Sequence, residues 1–178
     1  MATHVALLRG INVGRNRRLA MADLRALLAG LGLRDVTTHL NSGNALFSST
    51  DGGPALETAI EAAIDGRFGM PVRVLVRSRE EIDAAVRGNP LLALGGDGSR
   101  MLATFLSRAP EAGLLAAHDP TALDPGRIAV GDRVIYQWCP DGFLAAPPVA
   151  AFVEKNLLVT VSARNWNTVT RLAELMGS

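Results

Sequence analysis

The order of the apolar runs in residues 1–78 is the feature that most limits the possible folds. Four runs have the length and flanking residues of strands, and two longer segments place apolar residues at helical spacing. The predicted strands are Val5–Leu8, Thr37–Leu40, Ala45–Ser48 and Val72–Val76, and the predicted helices are Met21–Leu31 and the segment 51–69. This β-α-β-β-α-β order is that of a ferredoxin-like unit. It predicts a four-stranded antiparallel sheet with both helices on one face.

The second half repeats this order of elements. Its predicted strands are Leu102–Leu106, Ile128–Val130, Val134–Trp138 and Leu158–Val161, with a turn at Gly131-Asp132, and its predicted helices are Pro110–Ala117, Pro148–Leu158 and Asn165–Met176. We therefore predict an α+β fold of two ferredoxin-like βαββα(β) halves, with antiparallel sheets and helices packed on them. The predicted domains are residues 1–78, a helix plus Gly-rich linker at 79–100, and residues 101–178 with a C-terminal helix.

Composition narrows the class of protein. The hydrophobic content of 48% is sufficient for a packed core, and a charged content of 20% is below that of disordered chains. The net charge of +1 gives no overall argument for a nucleic-acid partner. The single cysteine, Cys139, excludes an intramolecular disulfide and a multi-cysteine zinc site. No apolar stretch approaches the roughly 18 residues that span a bilayer, and no signal-peptide pattern is present. We expect a cytoplasmic protein without membrane contact.

Arginine, asparagine and glycine are concentrated in three short segments, each beside a predicted strand or helix. These segments are Arg9–Gly14, Asn41–Asn44 and Arg164–Thr168. A buried amide without partners costs roughly 2–7 kcal/mol, and an unpaired charge costs more. The segments are therefore loops, or they form a mutually satisfied polar cluster.

The first two segments each have a structural interpretation beside a functional one. Arg9–Gly14 follows a strand, as phosphate-binding loops do, but its spacing matches neither a Walker A loop nor G-x-G-x-x-G. The alternative is an ordered loop in which Arg9 and Asn12 bind main chain. Asn41–Asn44 consists of turn-forming residues, so a hairpin turn is its simpler interpretation.

The third segment opens the last predicted helix. Asn165 is suited to be its N-cap, with Trp166 packed in the core. The free N–H groups at the same helix start favour an anion, and Arg164 would add positive charge. Capping accounts for one asparagine but leaves Arg164, Asn167 and Thr168 unexplained, so both interpretations stay open.

Conventional catalytic groups are scarce. The three histidines, His4, His39 and His118, lack metal-ligand spacing, and no base is evident for Cys139. Carboxylate pairs lie on predicted helices, where we expect solvation, at Glu57/Glu61 and Glu80/Glu81. We predict neither a metal nor a cofactor, and the sequence favours a non-enzymatic role.

Several motifs match those of a known family. They are LLRGINVG (7–14), MADLR (21–25), LGL..V.T..NSGNALF (31–47), RFG.PV.V.VRS (67–78) and RNWNTV..L (164–172). At these residues the chain resembles the domain-of-unknown-function 1697 family of small bacterial proteins. The resemblance implies an α+β fold of ferredoxin-like halves and implies no activity. Members usually have a Ser-Lys-Leu-Thr-like stretch where this chain has Ala146-Pro147-Pro148-Val149, so a ligand site using that lysine would be incomplete here.

The functional hypothesis is a binding module for a phosphate-bearing ligand, either a nucleotide or a single-stranded nucleic acid. Arginine and amide donors without acids suit an anion. The predicted ligand-binding residues, expected to converge in one polar groove, are Arg9, Asn12, Asn41, Ser42, Asn44, Arg164, Asn165 and Asn167. One alternative is an enzyme acting on a small anionic substrate, with Arg9 and Arg164 as electrophilic clamps. Another is a structural or protein-partner module in which the polar motifs tie the two halves together.

Overall fold

The computed structural model describes residues 1–177. Over this range the chain forms eight strands and six α-helices. The strands are β1 (His4–Leu8), β2 (Arg34–His39), β3 (Asn44–Ser48), β4 (Val74–Ser78), β5 (Met101–Leu106), β6 (Ile128–Gly131), β7 (Val134–Trp138) and β8 (Val161–Asn165). The helices are α1 (Met21–Gly30), α2 (Gly53–Phe68), α3 (Arg79–Arg87), α4 (Ala112–Ala117), α5 (Val149–Leu157) and α6 (Trp166–Leu175). The predicted α+β fold with antiparallel sheets is confirmed.

The chain divides into two compact units. The first unit comprises Met1–Asp83 together with the chain from Leu172 onward, and the second comprises Ala84–Arg171. No helix within residues 1–177 combines the length and the apolar character needed to cross a lipid bilayer.

The first unit contains a four-stranded antiparallel sheet in the order β2-β3-β1-β4. Alternation along the strands turns Ala6 and Leu8 of β1 toward one face, where they join a buried apolar cluster. Leu24 and Leu28 of α1 belong to the same cluster, as do three residues of α2, Leu56, Ile60 and Ile64. Both helices therefore pack on one face of the sheet, as the element order predicts.

Two carboxylates of α2 cover the open edge of this sheet. Strand β4 is an edge strand, and its outward N–H groups would otherwise be unpaired. Glu61 Oε1 accepts from the Val74 N–H at 2.8 Å, and Glu57 Oε1 accepts from the Val76 N–H at 2.9 Å. The expectation that Glu57 and Glu61 are merely solvated is therefore wrong. The two carboxylates are one helical turn apart on α2, and each accepts from one of two outward N–H groups that are two residues apart on β4.

The second unit has the same topology. Its antiparallel sheet has the order β6-β7-β5-β8, which repeats the strand order of the first unit. Val149, Val153 and Leu157 of α5 pack with strand residues such as Leu106 and Ile135. The repeated topology means that corresponding loops and strand ends of the two units can be compared directly.

Two boundaries in the second unit differ from the prediction. The closing strand begins at Val161, because Leu158 ends α5 in the left-handed region (φ 56°) and cannot start a strand. Arg164 therefore lies on a strand. In the β6–β7 hairpin Gly131 pairs with Val134, so the turn is Asp132-Arg133, with φ 52° at Arg133.

Candidate functional site

The segment Arg9–Gly14 directly follows β1, which is a central strand of the first sheet. The ladder extends past β1 on both sides, since the Leu8 N–H donates to Gly43 O (2.9 Å) and the Arg9 N–H donates to Arg73 O (3.0 Å). Gly10 then adopts φ 66°, which turns the chain out of the sheet. The loop that follows, residues 9–20, is called the basic loop below.

Asn12 closes the basic loop and joins it to the turn between β2 and β3. Its Nδ2 donates to Leu19 O at 2.9 Å and to Asn41 O at 2.7 Å, and its Oδ1 accepts from the Leu19 N–H at 2.9 Å. Its own N–H donates to Arg17 O at 2.9 Å, and its φ of 53° is one that asparagine tolerates better than most residues. The side-chain amide of Asn12 therefore forms its hydrogen bonds with main-chain groups.

The segment Asn41–Asn44 is a hairpin turn that the buried side chain of Asn44 stabilises. Asn44 is buried, and its Nδ2 donates to His39 O at 2.8 Å and to Ser42 Oγ at 3.1 Å. Gly43 has φ 92°, and a Cβ there would lie 2.8 Å from Leu8 Cβ. Glycine is therefore required both by the backbone conformation and by the close approach. The Asn41 and Ser42 residues are exposed on this turn.

The basic loop presents arginine without acidic neighbours along the chain. No aspartate or glutamate occurs between Arg9 and Ala22. Arg15, Arg17 and Arg18 are exposed, and within residues 1–177 none of these three forms an ion pair. Their charge is therefore not neutralised by a neighbouring carboxylate.

The guanidinium of Arg17 lies over the start of the basic loop, at Gly10. Nη1 of Arg17 lies 3.8 Å from the position a Cβ of Gly10 would occupy. Arg9 is half-buried, and burial together with the charge of Arg17 lowers the pKa of the Arg9 guanidinium. The positive charge of Arg17 therefore acts on the Arg9 guanidinium.

An open depression of about 320 Å³ lies between the end of the basic loop and the turn that joins β2 to β3. Its lining consists of Asn12, Arg18, Leu19, Ala20 and Asn41. The same two segments that Asn12 joins therefore form its walls.

The third polar segment belongs to the second unit. Arg164 is buried on β8, and burial lowers the pKa of its guanidinium to about 10. Its Nη1 donates to Ser162 Oγ at 3.0 Å and to Ala163 O at 2.8 Å. These bonds stabilise a charge that would otherwise be costly to bury.

Asn165 is the N-cap of α6. Its Oδ1 accepts from the Thr168 N–H at 2.9 Å, as the capping interpretation predicts. Trp166 is buried, with its ring edge-on to that of Tyr136 at 6.0 Å. Asn167 is exposed, and its side chain lies against Gly98, where a Cβ would collide with it.

The eight predicted site residues fall in both units. Arg9, Asn12, Asn41, Ser42 and Asn44 belong to the first unit, and Arg164, Asn165 and Asn167 belong to the second. The structure brings Asn12 and Asn41 into contact. That all eight form one groove stays a prediction.

Arg77 is a buried arginine of the first unit that corresponds to Arg164 of the second. It is not among the site residues predicted from the sequence. Arg77 lies on β4, and its Nη1 donates to the carbonyl of the preceding Val76 at 2.9 Å, as Nη1 of Arg164 does to Ala163. Each arginine is followed by a helix cap: Ser78 Oγ accepts from the Glu81 N–H at 3.2 Å. The shared pattern, Arg then Ser or Asn between a strand and a helix, was visible in both halves.

The residues that the structure describes offer neither a metal-binding cluster nor an activated thiol. Within residues 1–177 no group of three or more His, Cys, Asp or Glu side chains could hold a metal ion. Cys139 is buried, and burial together with the charge of Asp124 raises the pKa of its thiol to about 11. The thiol therefore stays protonated at neutral pH and is a poor nucleophile.

Comparison with known proteins shows a shared fold and a family. No curated protein shows significant similarity to this chain. The solved structure of the conserved bacterial protein SP0830 from Streptococcus pneumoniae is similar, with a TM-score of 0.73, 21% sequence identity and coverage of 98% of both chains. The family described as "Protein of unknown function (DUF1697)" matches residues 1–136. The chain therefore belongs to the DUF1697 family.

Proposed function

We propose that the first unit binds a phosphate-bearing ligand through the basic loop. The observation that supports this most directly is the position of the Arg17 guanidinium, whose Nη1 lies 3.8 Å from the place a Cβ of Gly10 would occupy, in a loop without acidic residues. Guanidinium groups bind phosphate through charge-assisted, bidentate hydrogen bonds. A bound phosphate would offset the positive charge of the loop's arginines.

In this proposal the polar residues of the first unit have two roles. Asn12 and Asn44 position the loop and the turn, because their amides bind main chain. Arg9 supplies charge together with the exposed arginines, the exposed Asn41 adds a polar group at the depression, and Ser42 is exposed on the same turn. We further propose a bacterial cytoplasmic location, in keeping with the bacterial family.

For the second unit we propose that Arg164 and Asn165 are structural. Arg164 is buried and donates to groups of its own strand, and Asn165 caps α6. Their replacement would lower stability before it affected an exposed ligand site. Asn167 is exposed and is the member of this segment that remains a candidate for ligand contact.

A titration of the intact chain with pyrophosphate, ATP and a labelled single-stranded oligonucleotide tests the proposal. Binding of at least one of them should weaken with added salt, and the combined Arg15→Ala, Arg17→Ala, Arg18→Ala variant should lose it. Arg34→Ala, an exposed arginine of the same unit outside the loop, is the matched control. Absence of binding by all three compounds, or equal loss in the control, would refute the proposal.

A further inference from the structure

We infer that the basic loop recognises two or more directly linked phosphates, as in a di- or triphosphate, and does so without contacting a base. This inference rests on the proposed function and specifies the ligand class of the same site. It distinguishes an oligophosphate from a nucleic-acid strand.

The first argument is the density of positive charge. Four arginines lie within the basic loop, and Nη1 of Arg17 lies 3.8 Å from the position a Cβ of Gly10, the neighbour of Arg9, would occupy. A nucleic-acid backbone carries one charge per phosphate, with a sugar between successive phosphates. Directly linked phosphates, the last of which carries more than one charge, bring several charges together. Four arginines in one loop of twelve residues fit the denser anion.

The second argument is that residues 1–83 offer no exposed Phe, Tyr or Trp ring on which a base could stack. The Phe, Tyr and Trp residues of Met1–Asp83 are Phe47 and Phe68 alone. Phe47 is buried, and Phe68 is half-buried beneath the guanidinium of Arg67, 5.7 Å from the ring centroid. Proteins that bind single strands combine a basic groove with stacked aromatic side chains. The first unit has the arginines of the basic loop but no exposed aromatic side chain beside them among residues 1–83.

The third argument is that the site is preformed and local. Asn12 binds Leu19 across the loop, and the adjoining depression of about 320 Å³ is of the size that small ligands occupy. A binding mode confined to one loop suits a short anion better than a long strand, which needs contacts along an extended track.

The test is a calorimetric titration of the intact chain, at one ionic strength, with orthophosphate, tripolyphosphate, ATP, CTP and oligodeoxythymidine. We expect tripolyphosphate, ATP and CTP to bind with dissociation constants within about threefold of one another, and orthophosphate about tenfold or more weaker. Arg9→Ala and Arg17→Ala should each weaken tripolyphosphate binding about tenfold, and Arg34→Ala should leave it unchanged.

The outcomes separate the ligand class from the function. A preference of about tenfold or more between ATP and CTP would overturn the inference, because a base would then be recognised. Tighter binding of oligodeoxythymidine than of tripolyphosphate would also overturn it, and in both cases the proposed phosphate-binding function would stand. No binding of any of the five compounds would overturn the inference and the function together.

Discussion

The side-chain amide of Asn12 donates to the main-chain carbonyl of Asn41 across 2.7 Å, which joins two segments that are 29 residues apart in the chain. The same amide nitrogen and its oxygen bind Leu19, so this one side chain defines the shape of the basic loop. In this account the asparagine positions the loop and the arginines meet the ligand.

Asn12→Gly tests the positioning role. Glycine accepts the φ of 53° but has no amide, so only the side-chain bonds are lost. We expect the free energy of unfolding to fall by about 1–3 kcal/mol, and tripolyphosphate affinity to fall as well. Asn16→Gly is the control, because Asn16 is an exposed residue of the same loop. Equal effects of the two substitutions in urea denaturation would contradict the role given to Asn12.

Gly43→Ala should be among the most destabilising single-methyl changes in the first unit. The added Cβ would lie 2.8 Å from both Leu8 Cβ and Ile11 Cδ1, in a backbone conformation with φ 92°. Gly14→Ala is the control for the conformation alone, because Gly14 has φ 65° with nothing within 4 Å of the added Cβ. We expect the control to cost about 1–2 kcal/mol and Gly43→Ala to cost clearly more, by urea denaturation. Similar losses would show that the turn does not pack on β1 as described.

Replacement of Glu57 and Glu61 together by alanine should expose the edge of the first sheet. The N–H groups of Val74 and Val76 would lose their acceptors, and an unpaired edge favours strand pairing between molecules. We expect concentration-dependent self-association by light scattering. Glutamine at both positions retains an acceptor oxygen and should largely restore the monodisperse state. Asp65→Ala, an exposed residue of the same helix, should have no effect, and self-association of this control would contradict the account.

Tyr136 provides a pH-dependent test of the second unit. Its hydroxyl donates to Ala85 O at 2.7 Å, and burial raises the pKa of the phenol to about 12 from an ordinary 10.0. The unfolded chain therefore releases this proton at lower pH than the folded chain. The contribution of the buried phenol to the free energy of unfolding is complete below pH 10.0 and is lost as the pH rises toward 12.

Tyr136 is the chain's single tyrosine, so absorbance at the phenolate band reports it alone. We expect the native phenol to titrate well above the same group in urea. Tyr136→Phe should remove the signal and lower the free energy of unfolding at neutral pH by about 1 kcal/mol. A native titration that coincides with the unfolded one would contradict the buried environment.

The sequence predicts the order of the elements well because each element has local signals. Leucine spacing reveals α1, and β-branched residues at 72–76 reveal β4. The start of β8 was not predictable in the same way, because the left-handed conformation of Leu158 leaves no mark in the residue types around it. The turn at Asp132-Arg133 likewise depends on a register that the neighbouring strand determines.

The sequence predicts which residue types make up the candidate site, but it does not predict the role of each residue. The sequence shows that Asn12 is polar and lies in a loop, but its partner Asn41 is set by the tertiary fold. For the same reason Glu57 has the pattern of a solvated helix residue until β4 is placed beside it. Arg77 could have been noticed, because Arg164 occupies the corresponding position of the other half.

The most direct test of the central claim is a heteronuclear NMR titration of the intact chain with tripolyphosphate, following main-chain amides and arginine side chains. The account predicts saturable shifts confined to residues 9–20 and the turn at 41–43, with the largest changes at Arg9 and Arg17. Shifts that do not saturate and are spread over the exposed arginines of both units would contradict it.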